Sequence, residues 1–145
     1  MIRIAKIAGL AAALGMASQL ALAGGAAGVW KTIDDETHQA KALVQINEGA
    51  NGELSGKVVK LFMHPDAVCD KCDGANKDKP VNGMQILWGL KKEGEGWNSG
   101  HILDPKSGKV YSAKMKLVDN GNKLEVRGFL GFSLLGRTQV WERQQ

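Results

Sequence analysis

The sequence predicts an all-β fold, an eight-stranded up-and-down antiparallel barrel. Three observations predict it. Short segments of alternating side chains follow one another through 28–143, separated by clusters of Gly, Asn, Asp and Pro, which is how consecutive hairpins are written. No long helical pattern interrupts them. The opening segment 28–35 (GVWKTIDD) and the last, Gly136–Arg143 (GRTQVWER), also look like partners, as a sheet that curls until its ends meet requires. Strand count alone leaves a partly open sheet or a sandwich open as well.

Residues 1–23 are set apart from that fold. Arg3 and Lys6 supply a positive start, 7–22 is apolar and nearly uncharged, and Ala21-Leu22-Ala23 closes the stretch with small residues. This is the pattern of a Sec-type signal peptide cleaved after Ala23, with a retained anchor as the alternative, and no Cys follows the site to carry a lipid. The expectation is a periplasmic or secreted protein with no stable membrane anchor after cleavage. Residues 24–145 then form one domain with one core.

The chain carries a formal charge of +4, and Arg3 and Lys6 account for two of those charges. Along the remainder Lys alternates with Asp and Glu through the turns. A nucleic-acid surface would gather its cations on one face with aromatics between them, so that class is set aside.

In order, 28–35 alternates Val29, Lys31 and Ile33 with Trp30, Thr32 and Asp34. A turn at 34–38 leads to 40–47, where Ala42, Val44 and Ile46 share one face. Asn51-Gly52 is a strong hairpin signal. The third strand, 54–62, contains Gly56, a bend or bulge of the kind curved sheets use. Then 63–81 breaks the pattern with two prolines, both cysteines and several charges, and reads as a long surface or mouth loop. Strands resume at 83–92, 97–103, 110–118 and 123–130, joined by Gly-rich, Asp104-Pro105 and Asn120-Gly121 turns. A short connection at 132–135 leads into the closing strand.

Closure has a specific signature. A Gly28-x-Trp30 on the first strand, with its ring covered by Arg143 from the last, would seal the barrel base by cation-to-ring packing of about 0.5–2 kcal/mol. Eight strands enclose a space that side chains fill or that holds one small ligand.

The stretches GVWKTIDDET, HPDAVCDKC, KDKPVNGMQIL, GHILDPKSGKVY and VRGFLGFSLLGRTQVWER, in this order, resemble the exported bacterial proteins grouped as domain-of-unknown-function family 2147. The resemblance spans 28–143. It implies a lipocalin-like barrel and no particular activity.

Cys69-Asp70-Lys71-Cys72 is the one cysteine pair, and in an exported chain the first reading is a disulfide. Two other readings stand beside it. A redox C-x-x-C belongs at a helix start in an α/β fold, a setting missing here. A metal set of His64, Cys69 and Cys72 with Asp66 or Asp73 would suit zinc or copper(I), but one C-x-x-C is half a site. No cofactor or resident metal is expected.

Asp34, Asp35, Asp104, Arg127 and Arg137 read as a charge network around one rim. The sharper reading puts Arg127 inside with Phe129, facing the acidic head of an amphipathic ligand. Leu124, Val126 and Leu130 claim the opposite face of that strand, and if they point inward Arg127 points out. Trp30 and Trp88 complete the candidate ligand-binding set of Trp30, Trp88, Arg127 and Phe129; Trp97 and Trp141 could line a cavity, but rings of this kind in a short chain are more often core or rim. His38, His64 and His101 are scattered, and neither a Ser-His-Asp set nor a phosphate-cradling Gly loop is present. The sequence therefore points to a non-enzymatic module binding a small apolar or amphipathic molecule. The alternatives are a structural or interaction protein of the envelope and, behind it, a thiol-redox or metal protein.

Overall fold

The computed structural model describes residues 25–144, and the leader expected at 1–23 lies outside the described residues. Eight strands follow in chain order: β1 (Gly28–Ile33), β2 (Ala40–Glu48), β3 (Leu54–Leu61), β4 (Gln85–Glu93), β5 (Gly96–Asp104), β6 (Lys109–Val118), β7 (Lys123–Phe129) and β8 (Gly136–Arg143). Each pairs with its predecessor, and β1 pairs with β8, so the sheet is a closed antiparallel barrel. The first strand stops two residues short of the expected 28–35, because Asp34 folds back to cap the turn that follows it.

Closure is uneven along its length. β1 and β8 meet through Trp30 opposite Arg143 and Lys31 opposite Glu142, while β7 and β8 stay paired from Lys123 and Glu142 up to Phe129 and Gly136. The seam is laced by backbone at one end of the barrel and diverges toward the other. There side chains span it: the Arg137 guanidinium lies 3.3 Å from the Asp35 carboxylate.

The laced end is solid. Trp30, Ile46, Leu87, Leu90 and Leu124 are fully buried there, with Trp97 and Met115 packed among them. Gly56 makes this density possible: a Cβ on it would sit 3.2 Å from both Leu87 and Val44, and the β3–β4 register shifts on either side of it. Toward the other end the interior opens into a cavity.

That open end carries the long loop between β3 and β4. The loop is folded rather than loose. Ala67 accepts from the Val81 amide, Cys69 exchanges backbone hydrogen bonds with Asp78 and Lys79, and Val68 bridges Pro80. The loop backbone at Lys71 and Cys72 lies on the β5–β6 turn, where Gly108 passes so close to the Lys71 carbonyl that no side chain would fit between them.

Candidate functional site

Each strand contributes inward side chains at a two-residue period, and in the open half these enclose a cavity of about 720 Å³. Its wall is largely apolar: Ala42 and Val44 from β2, Val58 from β3, Ile86 from β4, Val126 from β7 and Trp141 from β8. Met63, Ala67, Val68 and Val81 from the long loop form part of its cover. The volume falls within the range of small-molecule pockets, roughly 300–1,000 Å³.

Polar side chains interrupt the apolar wall. Thr32, on β1, is buried and lines the cavity, and its hydroxyl has no hydrogen-bond partner among the described residues. A buried hydroxyl left without a partner carries a desolvation cost of about 1–3 kcal/mol, which a ligand or water reaching it would relieve. Gln139 also lines the cavity, but its amide oxygen accepts from the Trp141 indole N–H at 3.1 Å. Tyr111, His64, Lys41, Lys106 and Arg137 also line the cavity, with Asp34, Asp70 and Asp104.

The four residues proposed from sequence as ligand contacts are placed differently from one another. Phe129 lines the cavity. Trp30 lies in the packed end, and its indole N–H donates to the Ala26 carbonyl at 2.8 Å. Trp88 is displaced to the outer surface, where it stacks on His101 with ring centroids 5.6 Å apart. The cause is the irregular β3–β4 pairing: Ile86 and Leu87 are both buried in succession, which breaks the alternation that would have turned Trp88 inward. Arg127 is turned out as well. Its Nε donates to the Ser133 carbonyl at 2.7 Å and its Nη1 to the Thr138 hydroxyl at 2.8 Å. Leu124 and Val126, the apolar face of β7, take the interior, whereas Leu130 beyond the strand end is exposed.

The expected rim network resolves into separate devices. Arg137 pairs with Asp35, and the Gln139 amide approaches the same carboxylate at 3.5 Å. Asp34 instead accepts from the Thr37 and Glu36 amides and the Thr37 hydroxyl, and the Thr37 bonds hold its carboxyl below the ordinary 3.8. Asp104 caps the β5–β6 turn through the Lys106 amide and the Ser107 hydroxyl. Short turns offer amide donors closer than any arginine, so two of the three carboxylates are used locally.

Cys69 and Cys72 form a disulfide, and both are buried. The Cys69 sulfur lies 3.3 Å from the Pro105 carbonyl oxygen, so the bridge rests on the β5–β6 turn. Among the described residues no three His, Cys, Asp or Glu side chains are gathered to hold a metal ion, and His64 is not brought to the cysteines.

At the other end, Arg143 lies over the Trp30 ring, 4.4 Å from its centroid. Gly28, at φ +133°, leaves room for it: a Cβ there would come within 3.2 Å of the guanidinium. Burial lowers the Arg143 pKa from its ordinary value.

Thr32, Val58, Ile86 and Gln139 are among the lining residues that sequence reasoning did not single out as ligand contacts. Their signal was the period-two alternation. It could be followed on β2, where Ala42 and Val44 share a face, but not through the β3–β4 irregularity.

No curated protein matches this chain. A solved structure described as "Protein HP1028 from the human pathogen Helicobacter pylori belongs to the lipocalin family" superimposes with a TM-score of 0.73 at 18% identity, over 83% of this chain and 84% of that one. At that identity the likeness is one of fold, and the barrel is lipocalin-like. A family model described as "Uncharacterized protein conserved in bacteria (DUF2147)" matches residues 28–143, which is the whole barrel from the first residue of β1 to the last of β8. The chain therefore belongs to the bacterial DUF2147 family.

Proposed function

We propose that this protein is an exported periplasmic carrier that takes one small apolar or amphipathic molecule into its barrel. The observation that carries the reading is the half-open interior, with a packed base below and an apolar cavity of about 720 Å³ above. A molecule with an apolar body would lie against Val44, Val58, Val126 and Trp141. Polar atoms on it would meet the Thr32 hydroxyl inside, and a charged head would stay at the rim among Lys41, Lys106 and Arg137.

Export is supported by the leader pattern at 1–23 and by the buried disulfide, a bond that persists in oxidising compartments. The reading assigns no reaction to the protein. Titration with a fluorescent alkyl carboxylate such as dansyl-undecanoate tests it: saturable binding at one molecule per chain is expected, and no binding at any concentration below the probe's micelle point would overturn it.

A further inference from the structure

The hairpin joining β7 to β8 has an unusual tip for a protein surrounded by water. Leu130, Phe132, Leu134 and Leu135 are 57, 75, 87 and 71% exposed. Clustered exposed apolar side chains of this size mark an interaction surface.

The tip is held in that arrangement. The Leu135 amide donates to the Phe132 carbonyl across the turn, and Arg127 ties the Ser133 carbonyl to the hairpin stem. It is also continuous with the cavity, since Leu130 and Leu135 line the mouth while remaining exposed. An apolar surface thus runs from the outermost side chain of the hairpin into the barrel.

From these observations we infer that the β7–β8 tip is a docking surface for a lipid bilayer, inserting Phe132 and Leu134 at the headgroup boundary and setting the cavity mouth against the membrane. Three features favour a bilayer over a protein partner. The tip is made of four exposed side chains, far short of the roughly 1,200–2,000 Å² that a specific protein interface buries, whereas a fluid interface needs no complementary groove. Its stem is cationic: 126–141 contains Arg127 and Arg137 and no acidic residue, and Lys114 lies opposite Arg127 on β6. Asp35 is the one carboxylate paired with these cations among the described residues. Apolar insertion and attraction to anionic headgroups reinforce each other at a membrane surface. Finally, an apolar molecule leaving a bilayer at this point would reach the cavity without crossing water.

The inference does not require the cavity to be loaded. Its test is flotation of the purified protein, in the processed form its own cells produce, with vesicles of phosphatidylethanolamine and phosphatidylglycerol at about 3:1, compared with the double variant Phe132→Ser/Leu134→Ser. Neither residue lines the cavity or is buried, so the variant should retain its circular dichroism and its dansyl-undecanoate binding. At least a fivefold fall in the vesicle-bound fraction is expected. Absence of vesicle binding by the unaltered protein, or equal binding by the variant, would overturn the inference. A dimer in sedimentation that the double variant abolishes would also overturn it, assigning the tip to self-association.

Discussion

Arg143 and Trp30 close the barrel as one unit. The guanidinium lies over the indole at 4.4 Å, and the two residues are also backbone partners at the β1–β8 junction. The same guanidinium donates to the carbonyls of Gly121 and Gly25, each at 2.8 Å, and of Ala27 at 3.3 Å. It therefore joins the β6–β7 turn, the segment before β1 and the last strand, just below the solid half of the core.

The first prediction concerns this junction. Arg143→Ala removes a ring contact of about 0.5–2 kcal/mol and leaves the carbonyls it served to water or to nothing, so a loss of about 2–4 kcal/mol is expected in urea unfolding. Arg143→Lys keeps the charge but not the planar fork and should recover less than half of that. Equal stability of the alanine variant would show that the junction is ornamental.

Replacing both Cys69 and Cys72 by Ser tests the role of the disulfide. So short a ring restricts the unfolded chain by about 2 kcal/mol, and its contacts are to Pro105 and the loop itself rather than to the barrel base. Hydrogen exchange should rise across 67–81 while amides of β7 and β8 keep their protection. Exchange that rises uniformly through the barrel would mean that the loop is part of the global fold.

Asp34 gives the molecule an acid-sensitive corner. Its carboxyl is held below 3.8 because the folded turn offers it the Thr37 amide and hydroxyl. A carboxyl whose pKa is depressed on folding stabilises the fold above its unfolded value, and that contribution fades as pH falls through 3.8 and on through the lower folded value. The Thr37 amide resonance should therefore titrate with a midpoint below 3.8, and Asp34→Asn should remove the transition. A midpoint at or above 3.8 would contradict the assignment.

Ala42 lines the cavity from β2 beside Val44. Ala42→Phe would place a ring in the cavity that Ala42 lines, so in a variant that folds dansyl-undecanoate binding should weaken at least tenfold, equivalent to about 1.4 kcal/mol. Unchanged affinity in a folded variant would place the probe elsewhere.

Much of this architecture could be read from the residues. Turn chemistry at Asn51-Gly52, Asp104-Pro105 and Asn120-Gly121 placed the hairpins, and Gly28, Trp30 and Arg143 announced how the ends would meet. Those signals are local or involve rare residue types. Side-chain direction was harder to read, because it depends on an unbroken count of two. The shifts around Gly56 interrupt that count before Trp88, and only pairing with β3 decides which way its ring faces. Arg127 was legible as a choice between two faces. The carbonyl of Ser133 and the hydroxyl of Thr138, both outside, are what the long guanidinium finds when Leu124 and Val126 take the interior. The exposed hairpin tip was hidden for a different reason: FLGFSLLG reads equally well as a connection folded over the core or as one standing away from it.

The most direct test of the carrier account is native mass spectrometry of the protein purified without detergent or organic solvent from the cells that make it, followed by solvent extraction of the same sample. The account predicts a population heavier than the polypeptide by one small amphiphile, released on extraction and absent from Ala42→Phe. A single mass equal to the bare chain, together with failure of dansyl-undecanoate to bind it, would contradict the account.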